Sequence, residues 1–157
     1  MKHLLLAAAI LLATLASQAN AAPASRDECR ATQSQEEVIQ CILQRLYDPC
    51  DDAGGGWGAS QCAWAHAEIA DRKVRAHEQE ILLRLERGKK RKKDAQARFR
   101  ESQRMWRAFR DSYCNFTNEA ANHEEFHGSS YFHVGYCKRR LNEQRADELQ
   151  RLLAPGA

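Results

Sequence analysis

The chain has 157 residues, 43% of them hydrophobic, and carries 24 basic and 21 acidic side chains. That length is enough for one domain, and the near balance of charge argues against a partner such as nucleic acid that is bound through high positive charge. We expect no membrane span, because no apolar run reaches the roughly 20 residues that a spanning helix needs.

The first 21 residues are predicted to be a signal peptide. Met1-Lys2-His3 is basic, Leu4 to Leu15 is apolar, and the stretch ends in the small-x-small sequence Ala19-Asn20-Ala21. This is the organisation of a secretory leader, and an apolar run of about 12 residues is too short for a membrane anchor. We therefore expect cleavage near Ala21 and a mature protein that is periplasmic or secreted.

All six cysteines follow the predicted leader, which indicates disulfide bonds. An even number of cysteines in an exported chain is typical of a disulfide framework. Six cysteines allow 15 pairings, and the sequence alone does not choose among them. No Cys-x-x-Cys occurs, so a zinc or thioredoxin-like site is disfavoured. The candidate disulfide residues are Cys29, Cys41, Cys50, Cys62, Cys114 and Cys137.

The segment 22–61 is predicted to contain one short helix and a glycine-rich loop. Thr32 or Ser34 is the expected capping residue of a helix over about 35–47, and Pro49 is expected to end it. Four glycines then remove helix propensity from the loop that follows. The apolar face of the helix consists of Val38, Ile42, Leu43 and Leu46.

The segment 62–154 is predicted to be a helical domain. Two long helices, over about 60–87 and 93–118, are expected to form an antiparallel hairpin about Gly88, and a last helix covers about 137–153. The fold class is therefore all-α: a small disulfide-stapled helical bundle in which the long antiparallel pair is joined by an N-terminal and a C-terminal helix. The apolar faces of the first long helix and the last helix consist of Ala63, Ala67, Ala70, Val74, Ile81 and Leu85, and of Leu141, Leu149, Leu152 and Leu153.

An aromatic stripe on the second long helix is expected to form the inner wall of the bundle. Its positions alternate four and three residues apart, which is the spacing of a helix packed lengthwise on other helices. Burial of several rings removes a large apolar area from water. The stripe consists of Ala95, Phe99, Ser102, Trp106, Phe109, Tyr113 and Phe116.

The hairpin also predicts which residues lie side by side, because positions equally far from the turn face each other. Asp71 is then level with Arg110, and we expect an orienting salt bridge between them rather than a catalytic pair. Asp111 is expected to face Arg145 on the last helix. The same register gathers three cysteines at one end of the bundle, where two can pair and the third can reach back to an N-terminal cysteine; they are Cys62, Cys114 and Cys137.

The connection 118–136 is predicted to be an irregular loop, since Gly128 and Gly135 interrupt helix formation. It is anchored by cysteines at both ends, and its polar side chains offer hydrogen bonds to a partner protein. The histidines are expected to be surface residues, because the stretch lacks the regular spacing of metal ligands. We therefore expect no metal site, no cofactor and no enzymatic activity. The candidate contact residues are His123, His127, Ser129, Ser130 and His133.

One motif resembles a known family. The run Q-x-x-W-x-x-F-R-D-x-x-C is formed by Gln103, Trp106, Phe109, Arg110, Asp111 and Cys114. It is accompanied by Cys62, Asp71, Gly128, Ser129, Cys137, Leu141, Arg145 and Leu149. Together they resemble the LprI-type lysozyme inhibitor family over roughly residues 62–153. The resemblance implies an exported helical protein, with these residues in structural roles, that binds lysozyme and protects the cell wall.

A second hypothesis stays open beside lysozyme inhibition. The run Lys89–Lys93 is a basic turn, and in an exported protein such a turn can contact anionic polymers of the envelope. The chain would then be a structural or stress-related envelope protein with an unknown partner. Salt-sensitive retention on peptidoglycan would favour this second hypothesis.

Overall fold

The computed structural model describes residues 25–31, 34–48, 50–51, 57–86, 92–123 and 130–154. This part of the chain contains five helices and no strand, which confirms the predicted all-α bundle. The helices are α1 (Arg26–Ala31), α2 (Gln35–Leu43), α3 (Trp57–Glu86), α4 (Lys92–His123) and α5 (Ser130–Leu153). None of these helices is both long and apolar enough to cross a membrane. The predicted signal peptide and residues 87–91, which include the first three residues of the basic turn, lie outside the described residues.

Helix α2 begins as predicted but ends earlier. The Ser34 hydroxyl accepts a hydrogen bond from the backbone N–H of Glu37 at 3.2 Å, which confirms Ser34 as the N-cap. The helix ends at Leu43 because Arg45 adopts a left-handed φ of 58° and the N–H of Leu46 bonds back to the carbonyl of Cys41. The prediction that Pro49 ends the helix is therefore wrong. Leu43, the last residue of the helix, was expected in the apolar face and is exposed.

Helices α3 and α5 form the most closely packed interface of the bundle. The predicted alanine and valine face of α3 is buried, and Val74 packs with Ala146 and Leu149 of α5 in a core cluster. At Gly135 the two helices approach so closely that an added Cβ would lie 3.0 Å from the Trp64 ring and 3.1 Å from the Ala63 Cβ. The expectation that Leu152 also belongs to the apolar face of α5 is wrong, because its side chain is exposed.

The predicted loop over 118–136 is largely helical. Helix α4 continues to His123 and α5 already begins at Ser130, so the glycine at 135 lies inside a helix. Gly135 therefore does not interrupt the helix. Its role is in packing, because the missing side chain allows α5 to lie close to α3. The residues between the two helices, 124–129, lie outside the described residues.

Helix α4 is rotated relative to the predicted aromatic stripe. Phe99 and Trp106 pack against the core cluster as expected, but Phe109, Tyr113 and Phe116 are exposed. The buried side chains of α4 are instead those of Gln103 and Cys114, and Arg110 is nearly buried. These side chains have partners on α3 and α5. Arg110 and Cys114 directly follow Phe109 and Tyr113, so each points about 100° around the helix from the preceding ring. The C-terminal half of the stripe, predicted to be buried, is therefore exposed on the surface of the bundle.

Three disulfides join the chain in the pattern Cys29–Cys41, Cys50–Cys62 and Cys114–Cys137, with Cα–Cα distances of 5.8, 5.5 and 5.6 Å. The predicted gathering of three cysteines is confirmed: two of them pair with each other, and Cys62 reaches back to the N-terminal segment. The bridge to Cys50 attaches the segment that follows α2 to α3, and Cys114–Cys137 ties α4 to α5. By restricting the unfolded chain, each bridge contributes about 3 kcal/mol.

Candidate functional site

A polar cluster joins the three long helices at the middle of the bundle. Arg110 of α4 donates from Nη1 to Asp71 Oδ1 on α3 at 2.7 Å and to Asn142 Oδ1 on α5 at 3.0 Å. Asn142 is buried and donates in turn to the carbonyl of Ala67 at 2.9 Å. The predicted salt bridge between Asp71 and Arg110 is confirmed. Asn142, which completes the cluster, was not predicted, because no sequence pattern distinguishes it from the other polar residues of α5.

The prediction that Asp111 faces Arg145 is wrong. Asp111 instead accepts hydrogen bonds from Arg110 and Lys138, each at 3.0 Å. The reason is the disulfide between α4 and α5, which fixes their register. Lys138 follows the half-cystine of α5 directly, and Asp111 lies one turn before that of α4, so the two are neighbours. Arg145 lies two turns further along and contacts Gln103 Oε1 at 3.3 Å and Glu148 at 2.6 Å.

The electrostatics of the cluster favour the charged forms of Arg110 and Asp111. Burial alone would lower the pKa of Arg110, but hydrogen bonds and the charges of Asp111 and Asp71 outweigh it and raise that pKa. Burial would likewise raise the pKa of Asp111, yet hydrogen bonds from Arg110 and Lys138 hold it below its ordinary value. A hydrogen-bonded network of this kind fixes the register of packed helices.

Trp106 is the aromatic residue through which this cluster meets the apolar core. The guanidinium carbons of Arg110 and Arg145 lie 5.2 and 5.7 Å from its ring centroid, within the range of cation–π contacts. The ring also packs against the core cluster of α3 and α5. Trp106, Arg110 and Gln103 of the sequence motif thus all act within one inward face of α4.

A cavity of about 260 Å³ opens beside the polar cluster, between Trp64, Glu68 and Lys138. This volume is below the roughly 300–1,000 Å³ that is usual for small-molecule sites, and the polar atoms at its base already bond to one another. We therefore assign the cluster to holding the helices together.

The outer face of α4 carries an aromatic ridge, which we define as Met105, Phe109, Tyr113 and Phe116. Their spacing of four, four and three residues places them on one side of the helix. Phe109 is 55% exposed and Phe116 64% exposed, and the rings of Phe109 and Tyr113 stack with centroids 5.5 Å apart. A contiguous exposed apolar patch on a folded protein marks an interaction surface. The sequence signal that could have found the ridge is the pair Gln103 and Arg110, seven residues apart on another face of the same helix. Two polar side chains that need partners indicate that this other face is the inner one.

The structure does not bring the predicted contact residues into one described surface. His133 lies in α5, half-buried, with its ring 5.7 Å from that of Phe132 in an edge-to-face arrangement. The side chains of His123 and Ser130 lie outside the described residues, as do His127, Gly128 and Ser129. Their role in contacting a partner stays a prediction.

Comparison with known proteins decides the family. Residues 50–149 match the family described as lysozyme inhibitor LprI. The chain belongs to this family. The match covers most of α3, α4 and α5 and two of the three disulfides, whereas α1 and α2 precede it. No curated protein and no solved structure matches the chain.

Membership of the LprI family fits the structure in two respects. Most motif residues of the resemblance that the structure describes lie in or beside the polar cluster or form the Cys114–Cys137 bridge, so this part of the family pattern describes how the three long helices are held together. Phe109 is the exception, because it is exposed on the ridge. Three disulfides and a family of lysozyme inhibitors also fit a periplasmic or extracellular protein.

Proposed function

We propose that this LprI family member is exported after cleavage near Ala21 and blocks a lysozyme in the periplasm or outside the cell, using the aromatic ridge as its contact surface. The observation that carries the proposal is the ridge itself. A helix that served only to complete the bundle would place its rings against α3 and α5, yet α4 presents three of them outwards.

The dimensions of the ridge suit the cleft of a glycan-cleaving enzyme. From Met105 to Phe116 the helix rises about 16 Å at 1.5 Å per residue. Lysozymes bind several sugar rings in an elongated cleft around a pair of catalytic carboxyl groups. A row of rings along a rigid helix is able to occupy such a cleft, and aromatic side chains are the typical anchors of protein interfaces.

The charge beside the ridge is mixed and does not select the sign of a partner. Glu101 and Glu119 are exposed, but Glu101 is paired with Arg104 at 2.6 Å, and the exposed Arg98 lies seven residues before Met105 on the same side of α4. Because the whole chain has a formal net charge of +3, long-range attraction to a cationic lysozyme is absent. We therefore expect the association rate to depend little on salt and the affinity to come from the ridge.

The decisive experiment measures lysis of a cell-wall suspension by lysozyme with the oxidised mature protein present. We expect inhibition by the wild type and at least a tenfold loss of inhibition for the double variant F109S/F116S. The matched control is L43S/L152S, which removes two equally exposed apolar side chains elsewhere and should inhibit as the wild type does. Melting curves of both variants check that the bundle is intact.

Two results would contradict the proposal in different ways. If the wild type gives no protection at micromolar concentration, lysozyme inhibition is wrong, and salt-sensitive retention on peptidoglycan would then favour the envelope function of the basic turn at Lys89–Lys93. If the wild type inhibits and F109S/F116S inhibits equally, the ridge is not the contact surface, and the segment 118–136 becomes the next region to substitute.

A further inference from the structure

Four potential metal ligands meet where the segment after α2 crosses α3. They are the side chains of Asp48, Cys50, Cys62 and His66, and their ligand atoms all lie within 4.8 Å of one another. Among the described residues this is the one group of its kind. His66 Nε2 is 2.8 Å from Asp48 Oδ2, so two of the four already touch.

Local structure explains why these residues converge. Cys62 and His66 are four residues apart on α3, and that spacing places both on the same side of the helix. The left-handed turn at Arg45 ends α2 and redirects the chain. The backbone N–H of Cys50 then donates to Asp48 Oδ1 at 2.9 Å, which orients the carboxylate while leaving its second oxygen beside the imidazole.

The chemistry of the set is that of a closed zinc site. Two thiolates, an imidazole nitrogen and a carboxylate oxygen are all ligands that Zn²⁺ takes in tetrahedral coordination. Bond lengths of about 2.0–2.3 Å place neighbouring ligand atoms of such a site roughly 3.3–3.8 Å apart. The longest separations in the set, up to 4.8 Å, need to shorten by about 1 Å, and the two sulfurs, once reduced, need to move apart by roughly 2 Å to surround an ion.

The disulfide and the metal are mutually exclusive, because zinc binds thiolates and the Cys50–Cys62 bridge holds both sulfurs in a covalent bond. We propose that, once a dithiol reductant has opened this bridge, Asp48, Cys50, Cys62 and His66 bind one zinc ion. The dithiol gives two electrons and two protons to the disulfide and becomes a disulfide itself. Zinc then displaces the two thiol protons to solvent, so the ion is held by two thiolates and its affinity falls in acid.

Access to the site fits this exchange. Cys50 is exposed, whereas Cys62 is buried and His66 is largely covered. A reductant is therefore expected to approach the bridge from the Cys50 side, while Cys62 and His66 lie deeper in the protein. Either occupant, the covalent bridge or the metal, attaches the segment after α2 to α3, so the N-terminal part of the bundle is held in both redox states.

Cobalt(II) is the probe, because tetrahedral thiolate coordination gives it intense near-ultraviolet and visible absorption. The mature protein is reduced with a phosphine under nitrogen, and Co²⁺ is titrated in and then displaced by Zn²⁺. We expect one ion per chain for the reduced protein and none for the oxidised protein. H66A should weaken zinc binding at least tenfold, while the matched control H77A, on the same helix, should bind as the wild type does.

Two further measurements keep the result clear if reduction loosens the fold. Far-ultraviolet circular dichroism follows helix content, and peptide mapping follows the return of each disulfide in air. Zinc should slow the return of Cys50–Cys62 and leave the rate of Cys114–Cys137 unchanged. The inference is overturned by equal binding to oxidised and reduced protein, by equal affinity of H66A and wild type, or by a reduced chain that zinc neither binds nor refolds.

Discussion

The α3–α5 interface and the outer face of α4 use side chains in opposite ways. At the first, two helices meet through small residues, and Gly135 leaves no room even for a methyl group beside Trp64 and Ala63. At the second, some of the largest apolar side chains of the chain point into solvent, with Phe116 64% exposed. The bundle is thus stabilised by the close approach of helix backbones. The rings of Phe109, Tyr113 and Phe116 take no part in this packing and form the proposed contact surface.

The polar cluster explains how this division is maintained. A helix carrying rings on one face and Arg110 on another would bury the rings if the arginine had no partner. Asp71 and Asn142 supply that partner on the inner side, and removing one member of such a buried pair is costly. The charged network therefore sets the rotation of α4 and, through it, the exposure of the ridge.

The largest effect should come from the α3–α5 core. Leu149 is fully buried against Val74 and Ala146, so Leu149→Ala should lower the free energy of unfolding by about 2–5 kcal/mol. The control is Leu152→Ala on the same helix, where an exposed side chain is removed and a change of at most about 0.5 kcal/mol is expected. Urea denaturation measures both. Equal losses of free energy of unfolding for the two variants would show that Leu149 contributes no more to the core than the exposed Leu152 does.

Smaller changes in stability, of opposite sign, are expected when two glycines are replaced by alanine. Gly135→Ala places a methyl group about 3 Å from the Trp64 ring and the Ala63 backbone, and overpacking of about 1–3 kcal/mol should exceed the helix propensity gained, about 1 kcal/mol. Gly58→Ala in the first turn of α3 meets nothing within 4 Å, so it should be neutral or slightly stabilising. Thermal melting of the two variants gives the comparison, and stabilisation by both would contradict the close approach.

The smallest effect concerns Asp111, at the boundary between the inner and outer faces of α4. Its pKa is lowered in the folded protein, so its contribution to stability is present above the ordinary carboxyl pKa and is lost as pH falls below about 4. Because the side chain is nearly half exposed, at most about 1 kcal/mol is expected. Asp111→Asn should remove this part of the pH dependence while Asp147→Asn, on exposed α5 surface, should not. An unchanged profile for Asp111→Asn would mean that its contacts with Arg110 and Lys138 contribute nothing.

The sequence predicted the helices and their register better than it predicted their faces. Periodicity identified the buried side of α3, and counting from the hairpin placed Asp71 beside Arg110. The C-terminal half of the aromatic stripe of α4, from Phe109 to Phe116, was predicted to be buried but is exposed. The prediction failed there because a spacing of three and four describes neighbouring faces of a helix equally well. Which face is inner was decided by Arg110 and Cys114 finding partners on other helices, and that information is not local.

The same reasoning applies to the segments that were misjudged near glycine and proline. Gly135 was interpreted as a break, but the structure uses it for close packing, and a sequence does not show what lies across the interface. The end of α2 was assigned to Pro49, whereas Arg45 ends it in a conformation that glycine more commonly adopts. Asp48 and His66, which complete the group with Cys50 and Cys62, were not predicted from the sequence because the four ligands come from two separate stretches rather than one compact motif.

The bridge between Cys114 and Cys137 affects what happens when a protease cuts the chain. It spans 23 residues of chain, including the whole connection between α4 and α5. Hydrolysis of any peptide bond inside that span produces two fragments that remain one covalent molecule, each still carrying its helix. A single nick between the two half-cystines therefore releases neither half of the chain.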